Sequence, residues 1–507
     1  MIGTRKPCLG CGHRFRQVLL AEEDFPNCRK ANRKSGRPLN EDVLLFNQRG
    51  SGRSLQQAAK SFPAERTCFH NHPRLPPPAT VHCFGTRERM TYPLQVWRED
   101  WLSKIDRERF LRVRWLLNPD QPPLENIEIV EHCGRITEIR SLAASDRDVL
   151  PVILIPALVN AHTHLEFSSL SKPICPALPF QNWITAVIKS RRGADTEGRR
   201  SVRQGLIESQ QSGVTAVGEI TTTHPISADD VDKGSSVISF REIIGLQQER
   251  IPELTCLAKE HLMQFSTADA NSSVVGGISP HAPYSVHPDL FASLIELAIN
   301  RDAIVAMHLA ETTDELELLH DGKGAFVEFL KQLDLWDPVT FPGGRSIRDF
   351  LEQLARTPRA LAIHGNYFSN DDIQFLADQP NVATVYCPRT HAFFGHTSHP
   401  IERLMAKRAR VVLGTDSRAS NPDLSLWKEL QFVAARFPNI PIPRLLAMAT
   451  IDAADALGLP TERHKICAGE ALECVMLNAD RNERDLHKMI CDPATQPTAT
   501  LIGEIAK

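Results

Sequence analysis

The most constraining feature of the chain is a rhythm. Between residues 152 and 417, eight short apolar runs each end in a polar or small cluster: VILIPALVNAHTH, VTAVGEI, VISFREIIG, VVGGISPHAP, IVAMHLAE, LAIHGN, VATVYCPRT and RVVLGTDS. Amphipathic or polar segments separate them. Near-continuous apolar strands alternating with helices are buried on both faces, the pattern of parallel sheet. Eight such units predict an α/β fold, a (β/α)₈ TIM barrel over residues 151–459. The chemistry of such a barrel sits at the C-terminal ends of its strands, which is where the polar residues fall.

Two other regions flank this rhythm. Residues 110–142 read as short alternating strands, LRVRWLL and IEIVEHCGRITEIR around a turn at NPDQPP, and predict a small β-layer over 110–150. Residues 1–89 are different. They hold about 16 basic against about 7 acidic side chains, so a net charge of -3 for the whole chain conceals roughly -12 in the remainder. With their Pro, Gly and Arg content they read as a basic, disordered extension, or as sequence upstream of a start at Met90. Cys8 and Cys11 form a CxxC, half a zinc site, but Cys28, Cys68, His70, His72, His82 and Cys83 follow at irregular spacing. The near-neutral total and the lack of aromatic interleaving argue against nucleic acid as partner. No apolar stretch is long enough for a membrane span, and the start, MIGTRKPCLGCGHRFRQ, has no apolar signal-peptide core, so a cytoplasmic protein with reduced thiols is expected.

The strand ends carry a constellation. The first run ends in His162-Thr163-His164, and residues i and i+2 of a strand share a face, so both imidazoles can reach one metal ion. The fifth run ends in His308, the sixth in His364 and the eighth in Asp416. Burying such groups together costs several kcal/mol each unless they are paired or metallated. Imidazole and carboxylate suit Zn²⁺ or Fe²⁺. No Lys ends the fourth run to bridge two metals, so one divalent ion is expected on His162, His164, His308 and Asp416, with Zn²⁺ favoured.

VNAHTHLEFS, SPHAPYSVHPDLF, HLAET, IHGNYFSNDDI, CPRTHAFFG and VLGTDSRASNPDLSL resemble the amidohydrolase superfamily, over about residues 112–477. They are most similar to its amino-heterocycle deaminase and chlorohydrolase branch. HTHLEFS with GTDSRASN most resembles the aminodeoxyfutalosine deaminase group. The resemblance implies a composite β-sandwich built from 110–150 and 460–507, although Ala471-Leu472-Glu473-Cys474-Val475 departs from the family's Ala-Asp-Leu-Val pattern there. It implies a hydrolase acting on carbon–nitrogen bonds other than peptide bonds: a deaminase of an aminated heterocycle or nucleoside, aminofutalosine-, adenosyl- or guanine-like. A chlorohydrolase or cyclic amide hydrolase is the alternative. It implies a small-molecule substrate and is compatible with a homodimer.

Roles follow from the same resemblance. Asp416 takes the first proton from the attacking water, Glu311 protonates a ring nitrogen and passes a proton to the leaving amine, and His364 hydrogen-bonds the attacking oxygen. His281 is placed against substrate. Glu166 orients a ligand imidazole or contacts substrate. Arg389 and His391 follow the seventh strand and line the pocket, where relatives commonly carry Asn at the position of His391. His396 and His399 read as surface-loop histidines, Ser417 as a partner of Asp416, and Glu219, Arg241 and Glu242 as a barrel-interior ion pair.

Overall fold

The computed structural model describes residues 108–503, apart from 120, 144–147, 193–197, 224–225, 232–233, 266–271 and 481. The basic extension expected over 1–89, with its CxxC, lies outside the described residues. Four strands come first: β1 (Arg109–Leu116), β2 (Leu124–His132), β3 (Arg135–Ser141) and β4 (Leu150–Pro156). The barrel strands follow: β5 (Leu158–His164), β6 (Val214–Thr221), β7 (Ser236–Ile243), β8 (Val274–Pro280), β9 (Ile304–Leu309), β10 (Ala360–His364), β11 (Val382–Tyr386), β12 (Arg410–Leu413) and β13 (Asp416–Ser417). Strands β14 (Glu473–Asn478) and β15 (Pro497–Ile502) end the described chain.

Strands β5 to β13 form one parallel nine-stranded sheet whose two edges are β12 and β13. These edges are successive pieces of one segment, separated by Gly414 and Thr415. The first piece pairs with β11 and the second with β5. Between them, Gly414 N–H donates to Tyr386 O (3.0 Å) and Thr415 N–H to His162 O (3.1 Å). The eighth apolar run therefore lies between strands seven and one, and the sheet curls round onto itself as the predicted barrel requires. Inside it Val159, Ala161, Ile220, Phe240, Ala306, Ile363 and Val412 share a cluster with Ala453, Ala454 and Leu457 beside the helix Ile451–Ala456.

The packing is close enough to test. A Cβ added at Gly218 on β6 would lie 2.4 Å from the backbone oxygen of Ala161 on β5. Overpacking against backbone costs about 1–3 kcal/mol, so Gly218→Ala is expected to lower the thermal midpoint by several degrees in scanning calorimetry. An unchanged midpoint would mean that the strand spacing relaxes freely.

The other sheet has the order β15-β14-β4-β1-β2-β3, so its strands come from both ends of the described chain. Strands β2 and β3 form a hairpin through Cys133 (φ 51°) and Gly134 (φ 80°), two left-handed residues whose twist matches the flanking strands. The sheet bends back far enough for Arg135 to bridge Ala471, just before β14. Strand β4 explains why the first apolar run is so long. VILIPALVNAHTH was expected to be one barrel strand, but it divides at Ala157: β4 pairs with β1 and β14, and only β5 enters the barrel. Ile153 and Ile155 of β4 join the cluster that runs through the barrel's outer layer, while Leu154 packs with Leu111, Val113, Ile129 and Cys474. No helix among the described residues is long and apolar enough to cross a membrane.

Candidate metal centre

The seam of the barrel sets the site. Asn160 Nδ2 donates to Thr415 Oγ1 (2.8 Å), and Asn160 Oδ1 accepts from the N–H groups of Thr415 (3.1 Å) and His162 (3.3 Å). Thr163 Oγ1 donates to Asp416 O (3.2 Å), and Asn421 Nδ2 to Thr415 O (2.7 Å). These bonds lock the His162/His164 pair of β5 in register with Asp416 of β13. Asp416 (φ 56°) and His364 (φ 74°) both adopt left-handed backbone, which costs a side-chain-bearing residue about 1–3 kcal/mol and persists where surrounding contacts over-determine it.

The expected ligands converge. The donor atoms of His162, His308 and His364 lie within 4.8 Å of one another, and so do those of His162, His164 and Asp416. Sharing His162 puts both groups at one place. His164 Nε2 is 3.3 Å from His308 Nε2, and Asp416 Oδ1 lies 3.6 Å from His162 Nε2 and 3.7 Å from His164 Nε2. His308 Nδ1 is 3.0 Å from His281 O; a carbonyl only accepts, so this nitrogen carries the proton and Nε2 keeps its lone pair for the centre. Asp416 Oδ2 accepts from Ser420 Oγ (2.9 Å). Ser420, not Ser417, therefore bonds the carboxylate; Ser417 Oγ accepts from Ala419 N–H.

This donor set fits a divalent cation. Both ring nitrogens of His162 and Nδ1 of His164 are buried without a hydrogen-bond partner, an arrangement that costs about 1–3 kcal/mol per group if nothing satisfies it. Burial pulls His164 and His364 down to about 3 and His308 well below its ordinary value, so these imidazoles are neutral and free to ligate. Glu242, His281 and His308 form a third close group. His308 has a single lone pair to offer, so it cannot serve a second ion there.

Beside the ligands, Glu311 Oε1 lies 3.5 Å from His364 Nε2. Burial, and then the Asp416 and Glu315 carboxyls, push Glu311 well above the usual carboxylate range. Its proton is therefore held to higher pH than that of an ordinary carboxyl.

The remaining expected residues are distributed less simply. His281 is partly exposed; its Nδ1 meets Ser285 Oγ (2.6 Å) and its Nε2 is 3.9 Å from Glu242 Oε1. Glu166 accepts from Arg191 (2.6 Å) and Thr222 Oγ1 (2.8 Å), rather than orienting a ligand imidazole. Glu242 faces Arg191 Nη1 at 3.5 Å, so its cation comes from the helix Phe180–Arg192 and not from Arg241, which as its strand neighbour points to the opposite face. Both oxygens of Glu219 accept from Leu165 N–H (3.1 and 2.9 Å). Arg389, on the helix Pro388–Phe393, gives Nε to Glu429 (2.6 Å) of the helix Leu426–Arg436 and Nη2 to Asp423 (2.8 Å). His391 is buried edge-on to Tyr386. His399, expected on a surface loop, is buried, stacks on Tyr386 at 3.9 Å and donates from Nε2 to His364 O (2.9 Å). Sequence reasoning missed Arg191, Ser420 and Glu315. Of these only Glu315 carried a signal, as a second carboxylate one helical turn after Glu311.

A sequence profile described as "Amidohydrolase family" matches residues 153–496. The chain is similar to an aminodeoxyfutalosine deaminase of Nitratiruptor sp. (27% identity over 365 residues, 69% of this chain and 85% of the relative). It is similar also to a 5-methylthioadenosine/S-adenosylhomocysteine deaminase of Thermoanaerobacter pseudethanolicus (27% over 391 residues, 72% and 83%). Among solved structures, the fold matches aminofutalosine deaminase of Helicobacter pylori in complex with methylthio-coformycin (TM-score 0.64, 22% identity, 78% of this chain and 98% of the other). It also matches atrazine chlorohydrolase of Arthrobacter aurescens TC1 complexed with zinc (TM-score 0.62, 19% identity, 78% and 94%).

Proposed function

The chain belongs to the amidohydrolase family, and from that premise we propose that it is a metal-dependent deaminase of an aminated heterocycle or nucleoside. One observation carries the choice: a buried carboxyl, Glu311, whose surroundings hold its pKa well above the usual carboxylate range, stands 3.5 Å from His364 at the edge of the ligand cluster. Ammonia leaves readily only once its nitrogen has gained protons, and a poised acid supplies them. Chloride leaves as an anion and needs no proton on the leaving group, so an acid placed to serve both the ring nitrogen and the leaving group is required in full only for deamination. Relatives that share about a quarter of their residues with this chain are named as deaminases of adenosine-type compounds.

His162, His164, His308 and Asp416 would hold the ion. When bound, a divalent ion supplies a water whose pKa falls from 15.7 to about 7, ionised near neutral pH. The Asp416 carboxylate, fixed by Ser420, would accept a proton from the attacking water. His364 hydrogen-bonds the oxygen that attacks the amine-bearing carbon. Glu311 protonates the adjacent ring nitrogen, onto which attack pushes electrons, and relays protons to the departing amine. His281, Glu166 and His391 are assigned to the substrate side of the site, and Arg389 to support of its wall through Glu429 and Asp423. Zn²⁺ is the favoured ion, by the chemistry of the donor set. The reading includes a composite sandwich for the six-stranded sheet and a cytoplasmic homodimer acting on small molecules, with no nucleic-acid partner.

The test is ammonia release from 5′-methylthioadenosine, S-adenosylhomocysteine, adenosine, aminodeoxyfutalosine and guanine with added Zn²⁺, beside chloride release from a chlorotriazine. Ammonia from at least one amine is expected. Chloride from the triazine with no ammonia from any amine would overturn the deaminase reading.

A further inference from the structure

Glu311 stands on a short segment that has no regular structure of its own. Strand β9 ends at Leu309 and the next helix, Thr313–Asp321, begins two residues after Glu311. Between them Ala310 is left-handed (φ 54°), a conformation that a residue with a Cβ does not hold unaided. Something must fix this kink, because it aims both His308, two residues before it, and Glu311, immediately after it.

The described contacts identify the clamp. Glu315 is completely buried, and its two oxygens accept from the two N–H groups of the kink: Oε1 from Ala310 N–H at 3.0 Å and Oε2 from Glu311 N–H at 2.9 Å. Glu315 is itself anchored, since its N–H donates to Thr312 Oγ1 (3.2 Å), the cap of its helix. The carbonyls of the same segment are held from the opposite side. Gly365 N–H donates to Leu309 O (3.0 Å), Tyr367 N–H to Ala310 O (3.2 Å) and Asn366 Nδ2 to Glu311 O (3.0 Å). These donors directly follow His364, so the clamp ties the two strand ends that carry the Glu311–His364 pair.

We propose that Glu315 is a positioning residue for the proton-transfer step: its carboxylate grips the backbone on both sides of the Ala310 kink and so holds the Glu311 carboxyl against His364. The chemistry suits that task. A carboxylate offers two acceptor oxygens and no donor, which matches two converging N–H groups, and those bonds favour the ionised form against the burial that raises Glu315 to about 7. An amide in its place keeps one acceptor and sets an NH₂ against the other N–H. Glu315→Gln therefore keeps the volume and loses the grip. The proposal rests on the deaminase reading for its kinetic consequence and is independent of it for its structural one.

The experiment has two arms. In the first, crystal structures of the full-length protein and of Glu315→Gln, both with Zn²⁺, are compared. Ala310 is expected to leave the left-handed region and the Glu311 carboxyl to move away from His364, with His308 still bound to the ion; an unchanged 310–311 backbone overturns the proposal. In the second arm, kinetics use the 6-aminopurine nucleoside from which the protein releases ammonia fastest. Glu315→Gln is expected to lower kcat about 10- to 100-fold, the range seen when supporting partners of a site are removed, with KM and zinc content unchanged. In a Glu311→Gln background the same change is expected to cost less than about threefold, because residues acting through one another are not additive. An equal loss in both backgrounds, or a loss confined to KM or to metal content, overturns it. Should Glu315→Gln not fold, Glu315→Asp, too short to reach both N–H groups, takes its place in both arms with an intermediate loss expected. A lack of effect of Glu311→Gln itself would defeat the kinetic reading of Glu311, while the crystallographic arm would still decide the clamp.

Discussion

His308→Ala is expected to lose the bound metal and the ammonia-releasing activity together. Among the proposed ligands, His308 is the one supplied from across the barrel mouth, on β9. Its ring is oriented by the bond from Nδ1 to His281 O, and its remaining nitrogen lies 3.3 Å from His164 Nε2. Truncation leaves His162, His164 and Asp416, one donor short of the set that crosses the barrel mouth from β5 to β9. It also opens a cavity where a buried ring stood, so water competes for the ion. A water that is not activated by a metal has a pKa near 15.7 rather than about 7, and is ionised roughly nine powers of ten less at neutral pH. Activity should therefore fall below detection rather than to a fraction. The measurement is metal content of purified protein by mass spectrometry, beside ammonia release. A chelator should reproduce the loss in the parent protein, and added Zn²⁺ should restore the parent but not the variant. Chelation should also lower the thermal midpoint, since an ion bound only by the folded state stabilises it by mass action. A variant that keeps a stoichiometric ion and full activity would remove His308 from the ligand set.

Glu311→Gln is expected to separate chemistry from metal binding. The amide keeps the size of the side chain and cannot donate an acidic proton. A loss of about 10²- to 10⁴-fold in kcat is expected, the usual range for a general acid, with metal content unchanged. The pH profile gives the sign. Burial, reinforced by Asp416 and Glu315, raises the pKa of Glu311, so the protonated form persists to higher pH than for an ordinary carboxyl. A step that uses this proton is level on the acid side and declines as pH rises through the raised pKa. In the parent, kcat should therefore show an alkaline decline that the Gln variant lacks. An alkaline limb that survives in the variant would assign it to another group, and an unaffected kcat would remove Glu311 from the proton path.

Much of the site was legible in the sequence because the barrel imposes a simple rule. A buried strand shows as an apolar run, and the polar residues at its end stand at the mouth. His162, His164, His308, His364 and Asp416 all obey that rule, and the structure brings them within a few ångströms of one another. Glu311 was also marked, three residues beyond His308. Residues that lie between strands and helices were less visible. Glu166 and Glu242 are each consistent with several partners along the chain, and nothing local marks Arg191, on a helix after the first barrel strand, as the one that meets both. His399 looked like a loop histidine because it follows the polar stretch His396, Thr397 and Ser398 and precedes Pro400; stacking on Tyr386 and a bond to His364 O place it inside.

By itself the sequence determined the number of barrel strands, their order and which polar side chains stand at the strand ends, because periodic burial and strand polarity are local properties. Only the tertiary structure decided where the first run divides between two sheets, since both halves are equally apolar and differ only in what they pair with. It alone decided which cation answers Glu242 and how a second glutamate fixes the first. The first two depend on distances between elements far apart in the chain, and the third on the left-handed turn at Ala310 that brings two neighbouring N–H groups to one carboxyl.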